Sequence, residues 1–174
     1  MAFNFQVLET ERLRLEPVGE EYSQIIWREF TPAVTRYMIP NPFASLAEAQ
    51  VFVEACQQAF QRETDLELVI LERSSGQFLG MISALGTKKR TPELGIWLKE
   101  SAWGHGYGSE ALRALAAWLW DYAPYPYLLY PVAQANLPSR HLIEACGGRL
   151  DNTYTQADAQ GQPLETWEYR LPRP

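Results

Sequence analysis

Three glycines at alternate positions, Gly104, Gly106 and Gly108, punctuate the stretch Trp103-Gly104-His105-Gly106-Tyr107-Gly108-Ser109 just before a long helical pattern begins. This composition suits anion binding. Glycine lets the backbone approach a phosphate with no Cβ in the way. The first N–H groups of a helix lack intrahelical partners and sit at the positive end of its dipole. A Gly-rich turn ahead of a helix can equally be a plain connector. Spacing excludes two familiar phosphate loops: GxGxxG would need glycine where Ser109 stands, and the Walker loop needs a Gly-Lys pair that the chain lacks. Other chemistry-bearing residues are sparse. Cys56 and Cys146 are too few and too scattered for a disulfide framework or a CxxC site, and their apolar helical contexts suit buried free thiols. His105 and His141 have no acidic or thiol companions at metal-ligand spacing, so no metal site is expected.

The elements that must position the loop can be read from periodicity. Glu93-Leu94-Gly95-Ile96-Trp97-Leu98 reads as the strand entering it, and Leu112, Leu115, Ala116, Leu119 and Tyr122 form one face of the helix leaving it. Upstream, Thr10 to Val18 alternates as a half-buried strand and Glu20 to Phe30 reads as a short helix ended by Thr31-Pro32. Ser45-Leu46-Ala47-Glu48 is a capping box opening a helix to about Arg62. Leu66 to Arg73 and Gln77 to Leu85 are apolar runs that, with Glu93–Leu98, predict an antiparallel meander because the links are too short for parallel crossovers. Tyr127 to Ala133 follows a helical crossover and should run parallel to Glu93–Leu98. Pro131 cannot donate to a ladder and belongs at an edge or bulge, and one arrangement that accommodates it is for these two strands to pair at one end only and then splay. A helix after Asn136, ended by Gly147-Gly148, and a hairpin across Gln160-Gly161 complete a predicted α+β fold of about seven strands.

With 174 residues the chain is expected to form one domain spanning 1–174. Its net charge, 15 − 21 = −6, argues against non-specific nucleic-acid binding and favours amine-bearing partners. No apolar run of ~18 residues predicts a membrane span, and the N-terminus does not read as a signal peptide. A cytoplasmic location is therefore expected.

These pieces together resemble the GCN5-related N-acetyltransferase (GNAT) superfamily, close to its ribosomal-protein-alanine, RimJ/RimL-like branch. The resemblance covers nearly the whole chain. It is carried by Leu8-Glu9-Thr10-Glu11-Arg12-Leu13-Arg14-Leu15, by Glu93–Leu98, by Trp103 to Ala111, and by Asn136-Leu137-Pro138-Ser139 followed by Gly147. It implies a mixed, mostly antiparallel sheet with flanking helices, acetyl-CoA as co-substrate, and a primary amine as acceptor, either a protein N-terminus or a small amine. A homodimer is left open. The resemblance further implies that Trp103, Gly104, His105, Gly106, Tyr107, Gly108 and Ser109 cradle the CoA pyrophosphate, and that Ile96, Trp97 and Leu98 pair with the pantetheine arm. Asn136 would contact the same arm.

For catalysis the resemblance implies Glu93 as proton acceptor, directly or through water, and Ser139 as donor to the CoA sulfur. Many superfamily members carry a Tyr seven residues after the Asn, where this chain has Ile143. The usual Gly-Phe after that helix is here Gly147-Gly148. Trp27, Tyr37 and Tyr154 are candidates to line the acceptor pocket. The competing expectation is a CoA-binding regulatory module of the same fold without turnover.

Overall fold

In the computed structural model, which describes residues 3–174, the chain runs β1 (Leu8–Glu9), β2 (Leu13–Pro17), α1 (Ser23–Glu29), α2 (Pro32–Thr35), α3 (Leu46–Arg62), β3 (Asp65–Glu72), β4 (Phe78–Leu85), β5 (Glu93–Leu98), α4 (Tyr107–Tyr122), β6 (Tyr127–Ala133), α5 (Leu137–Ala145), β7 (Arg149–Ala157) and β8 (Pro163–Pro172). The strands form one eight-stranded sheet in the order β1-β2-β3-β4-β5-β6-β8-β7, antiparallel except where β5 meets β6. The extra strand relative to expectation is β1, whose Leu8 and Glu9 pair with Leu15 and Arg14. Thr10 is a turn residue rather than the start of a strand, and its backbone N–H donates to Leu13 O at 2.9 Å.

Local chemistry sets the helix starts. Ser45 Oγ accepts from Glu48 N at 3.2 Å, and the Glu48 carboxylate accepts in return from Ala44 N at 2.8 Å. Thr31 caps α2 by accepting from Val34 N at 3.3 Å, with Pro32 in the first turn, where a missing N–H costs nothing. No helix among the described residues is long and apolar enough to cross a membrane.

Alternation along the strands splits the core into two layers. On one face of the sheet Leu13, Leu15, Leu66, Leu68, Ile70, Leu94 and Leu128 pack with Leu112, Leu115 and Leu119 of α4 and Ile143 of α5. On the other, Val69, Leu71, Phe78 and Met81 pack with Ile26 of α1 and Val53 and Cys56 of α3. The helices thus cover β3 on both faces, which accounts for its near-continuous apolar run.

The parallel pairing of β5 with β6 is limited to Glu93 and Leu129, with Leu129 N donating to Pro92 O at 2.9 Å. Pro131 explains why it stops. Backbone N–H groups two residues apart point to the same side of a strand, so the next donor toward β5 would come from residue 131, where proline has none. On its other edge β6 is fully paired with β8, from Tyr127 with Pro172 to Ala133 with Thr166. The strands consequently splay toward the C-terminal end of β5.

Candidate active site

The backbone of β5 presents its even-numbered residues to the gap and its odd-numbered ones to β4. Lys99 N donates to Leu79 O at 2.8 Å in the β4 direction, whereas Pro92 O points to β6. Leu98 O is capped by the Trp103 indole N–H at 2.8 Å. Ile96 N–H and C=O therefore face the gap with no partner strand. An extended chain bearing amide groups can add to that edge.

At the end of the gap the glycine loop turns into α4. Gly104 and Gly106 adopt φ of +77° and +78°, the left-handed region that L side chains rarely enter. Gly106 occupies the N-cap position, so no side chain satisfies the first-turn N–H groups of α4, and a Cβ at Gly104 would meet nothing within 4 Å. These features make a cradle for a phosphate group, which fits the CoA pyrophosphate. Gly108 has a different reason for being glycine. It lies inside α4, and a Cβ there would come within 2.4 Å of Leu142 Cδ1, so its absence lets α5 pack close.

Arg12, on the segment before β2, braces the loop from outside. Its guanidinium donates to His105 O at 2.7 Å and to Glu110 Oε2 at 2.7 Å, and it stacks over the Tyr107 ring at 4.7 Å. Desolvation alone would raise the Glu110 pKa. Hydrogen bonds from Thr10 Oγ1 and Arg12 N, together with the Arg12 charge, reverse this and hold it below the usual range. The exposed Trp103 and His105 sit at the outer edge of the loop, and the His105 ring lies 5.6 Å from that of Tyr107.

Across the gap, Asn136 caps α5 by accepting from Ser139 N at 3.2 Å. Ser139 Oγ lies 2.7 Å from Tyr130 Oη. Burial pushes the Tyr130 pKa up to about 12, partly offset by the Ser139 hydrogen bond, so the phenol stays protonated at neutral pH. Tyr130 is the hydroxyl that sequence reading missed. On β6 it alternates with Leu128 and Val132 like any core residue, and only the register of α5 brings it to Ser139.

A cavity of about 520 Å³ opens from the gap and runs under α1 and α3. Both walls of the gap contribute to it, Ile96 and Trp97 from β5, and Tyr130, Pro131 and Val132 from β6, as do Asn136 and Ser139. Of the three predicted acceptor residues, Tyr37 and Tyr154 line it and Trp27 does not. Helical phase explains the difference. Ile26 and Phe30 turn inward, and Trp27, one step round from Ile26, points outward and is 40% exposed.

Glu93 stands at the rim. Its pKa is raised by partial desolvation first and by Glu168 second, with Lys89 acting in the opposite direction. The Tyr154 pKa is also raised, by burial and then by Glu168 and Glu93. A second carboxylate, Glu67 of β3, was not singled out by sequence. It lines the same cavity, and desolvation followed by Asp65 pushes its pKa to about 8. Its strand is apolar on both faces apart from Glu67 itself and the ends, so alternation gave no sign of which polar residue would face a cavity.

The splayed parallel pair, the loop at the start of α4 and the cavity are the features of this fold that can bind ligands. The family model described as an acetyltransferase (GNAT) domain matches residues 12–149. The chain belongs to the GNAT acetyltransferase family and is an acetyltransferase enzyme. It is 21% identical over 170 residues to an uncharacterized N-acetyltransferase, p20, of Bacillus licheniformis, covering 95% of this chain and 96% of that protein. Its fold matches that of a candidate ribosomal-protein-serine acetyltransferase from Vibrio cholerae, with a TM-score of 0.85, 21% identity, and coverage of 99% and 100%. It also matches RimL, a ribosomal L7/L12 alpha-N-protein acetyltransferase solved with coenzyme A, with a TM-score of 0.83, 16% identity, and coverage of 95% and 98%.

Proposed function

We propose that the protein transfers an acetyl group from acetyl-CoA to a primary amine by direct attack, as a RimJ/RimL-like member of its family. The observation that carries this reading is the continuity of three features. The unpartnered Ile96 edge borders the cavity at the β5–β6 splay, and the Gly104–Gly106 loop opens α4, whose Gly108 packs beside Ile96. The fold shared with a CoA-bound acetyltransferase supports the same reading.

When bound, acetyl-CoA supplies an activated thioester. The chain's residues divide the remaining work. First-turn N–H groups of α4 and the loop from Trp103 to Ser109 hold the pyrophosphate, while Ile96 N–H and C=O, flanked by Trp97 and Leu98, align the amide-bearing arm, with Asn136 on its other side. An amine attacks only when neutral, so Glu93 takes the ammonium proton, directly or through one water. As the N–C bond forms and the C–S bond breaks, the nitrogen gives up its second proton to water, and the sulfur receives one from Ser139, which Tyr130 resupplies through their 2.7 Å contact and regains from water after the step. A gap-facing N–H of β5 stabilises charge developing on the carbonyl oxygen. Tyr37 and Tyr154 bound the space for the amine.

The test is thermal shift with acetyl-CoA, NAD and ATP in parallel, followed by a free-thiol release screen over amines and peptide N-termini. Selective stabilisation by acetyl-CoA and amine-dependent thiol release are expected. Stabilisation by NAD or ATP instead, or acetyl-CoA binding without release by any acceptor, overturns the proposal.

A further inference from the structure

Glu67 is placed where a surface carboxylate would not be. It is half-buried and lines the cavity, and it has no hydrogen-bond or ion-pair partner among the described residues. It belongs to a row that crosses three strands, Glu67 of β3 opposite Ser83 of β4, and Ser83 opposite Gly95 of β5. The row ends in small groups. Gly95 has no side chain, and a Cβ there would come within 2.9 Å of Ser83 Oγ. The floor between Glu67 and the splay is thereby kept low.

Among the described residues that line the cavity, the charged ones are Glu67 and Glu93, and none is Lys, Arg or His. Between them on the sheet lie Leu85 and Ser83 of β4, and Phe43, Phe52, Met81 and Trp97 add apolar and aromatic lining to the same cavity. Glu93 lies two residues along β5 from Gly95, on the same face of the sheet. With strand spacing near 4.8 Å and a rise near 3.4 Å per residue, the two carboxylate-bearing Cα atoms are about 12 Å apart.

Resting on the acetyltransferase reading, we propose that the acceptor is a small diamine with a hydrocarbon spacer. Glu93 faces the amine that is acetylated, and Glu67 holds the distal ammonium. Two acids with no cation in the lining of the cavity select for two positive charges, and the apolar lining around them suits methylene groups. In the empty cavity desolvation favours the neutral carboxyl, and an arriving ammonium stabilises its carboxylate form, so a monoamine that fills the same space leaves Glu67 without an ionic partner. Glu67 touches the part of the acceptor that does not react and acts as a specificity residue. Asp65 on the same strand and Cys56 on α3 are the titratable neighbours coupled to it.

The probe pair is 1,4-diaminobutane and butylamine, which share a carbon chain and differ in one terminal amine. Thiol release at saturating acetyl-CoA should give a kcat/KM ratio of about tenfold or more in favour of the diamine, the scale of a hydrogen bond to a charged group. Glu67→Gln should collapse that ratio toward one, with folding checked by thermal melting. A ratio near one in the native protein needs no variant and overturns the inference, as does a ratio that persists in Glu67→Gln. Turnover of butylamine or of a peptide N-terminus without diamine preference overturns this inference and leaves the acetyltransferase reading standing. Absence of thiol release with every amine overturns both.

Discussion

The Tyr130 hydroxyl lies 2.7 Å from the Ser139 hydroxyl, with the phenol buried beneath β6 and the serine facing the cavity on the first turn of α5. This contact joins the one strand that splays to the helix that Asn136 caps. In the mechanism proposed above, it is the contact through which Tyr130 returns a proton to Ser139.

Removing the donor should separate chemistry from binding. Ser139→Ala is expected to lower kcat by about 10²-fold, the lower end of general acid catalysis, with little change in the acetyl-CoA dissociation constant. Tyr130→Phe should give a smaller loss of kcat and cost about 1 kcal/mol of stability for the lost hydrogen bond. Steady-state kinetics and thermal melts of both variants check this. A Ser139→Ala enzyme with native kcat removes Ser139 from the mechanism.

Glu93 must be ionised to accept a proton, so kcat/KM should rise with pH through its pKa. Desolvation and Glu168 raise that pKa, which places the acid limb above the usual carboxylate range. Glu168→Gln removes the like charge and should move the limb to lower pH. Lys89→Gln removes the opposing cation and should move it higher. Glu93→Gln should lose about 10²-fold or more in kcat/KM at neutral pH. A limb that stays in place in Glu168→Gln assigns it to another group.

Gly106→Ala probes the cradle. An L side chain at φ +78° costs roughly 1–2 kcal/mol, because the nearest atom to the new Cβ, Arg12 Nη2 at 3.5 Å, leaves room. Reduced stability together with weaker acetyl-CoA binding is expected by melting and calorimetry. Equal stability with intact binding would show that the left-handed turn is dispensable.

Glu67 should make the free protein less stable as pH rises. Its carboxyl goes from an ordinary 4.5 to about 8 on folding, so the folded chain binds the proton more tightly than the unfolded one. The sign follows. The favourable contribution is complete below about pH 4.5 and is lost as pH climbs toward 8. Melting temperatures between pH 5 and 8 should fall, and the slope should flatten in Glu67→Gln. An identical slope in the variant traces the dependence to another group, Glu93 being a second carboxylate whose pKa burial raises.

Much of this architecture was legible residue by residue because local rules govern it. Leu112, Leu115, Ala116 and Leu119 repeat at helical spacing and are all buried, whereas Tyr122, the last of that series, is 38% exposed at the helix end. Pro131 announced the splay because a missing donor acts at its own position, whatever surrounds it. Ser45, Asn136 and Gly147 set helix ends through bonds spanning only a few residues.

What the tertiary structure decided concerns faces and neighbours far apart in the chain. The two-residue strand at Leu8–Glu9 is too short to carry a period and exists only because β2 offers an edge. Trp27 and Ile26 are adjacent apolar residues, and only the docking of α1 on the sheet sends one into the core and the other outward. Gly108 reads like its neighbours Gly104 and Gly106, yet its role is set by Leu142, brought to it by the packing of α5 on α4. Glu67 is one acid in a strand, and only the assembled fold places it half-buried on the wall of a cavity rather than in open solvent. Sequence spacing specifies each element's own geometry and its loop chemistry. The environment of a side chain depends on which elements cover it, and that is a property of the assembled sheet.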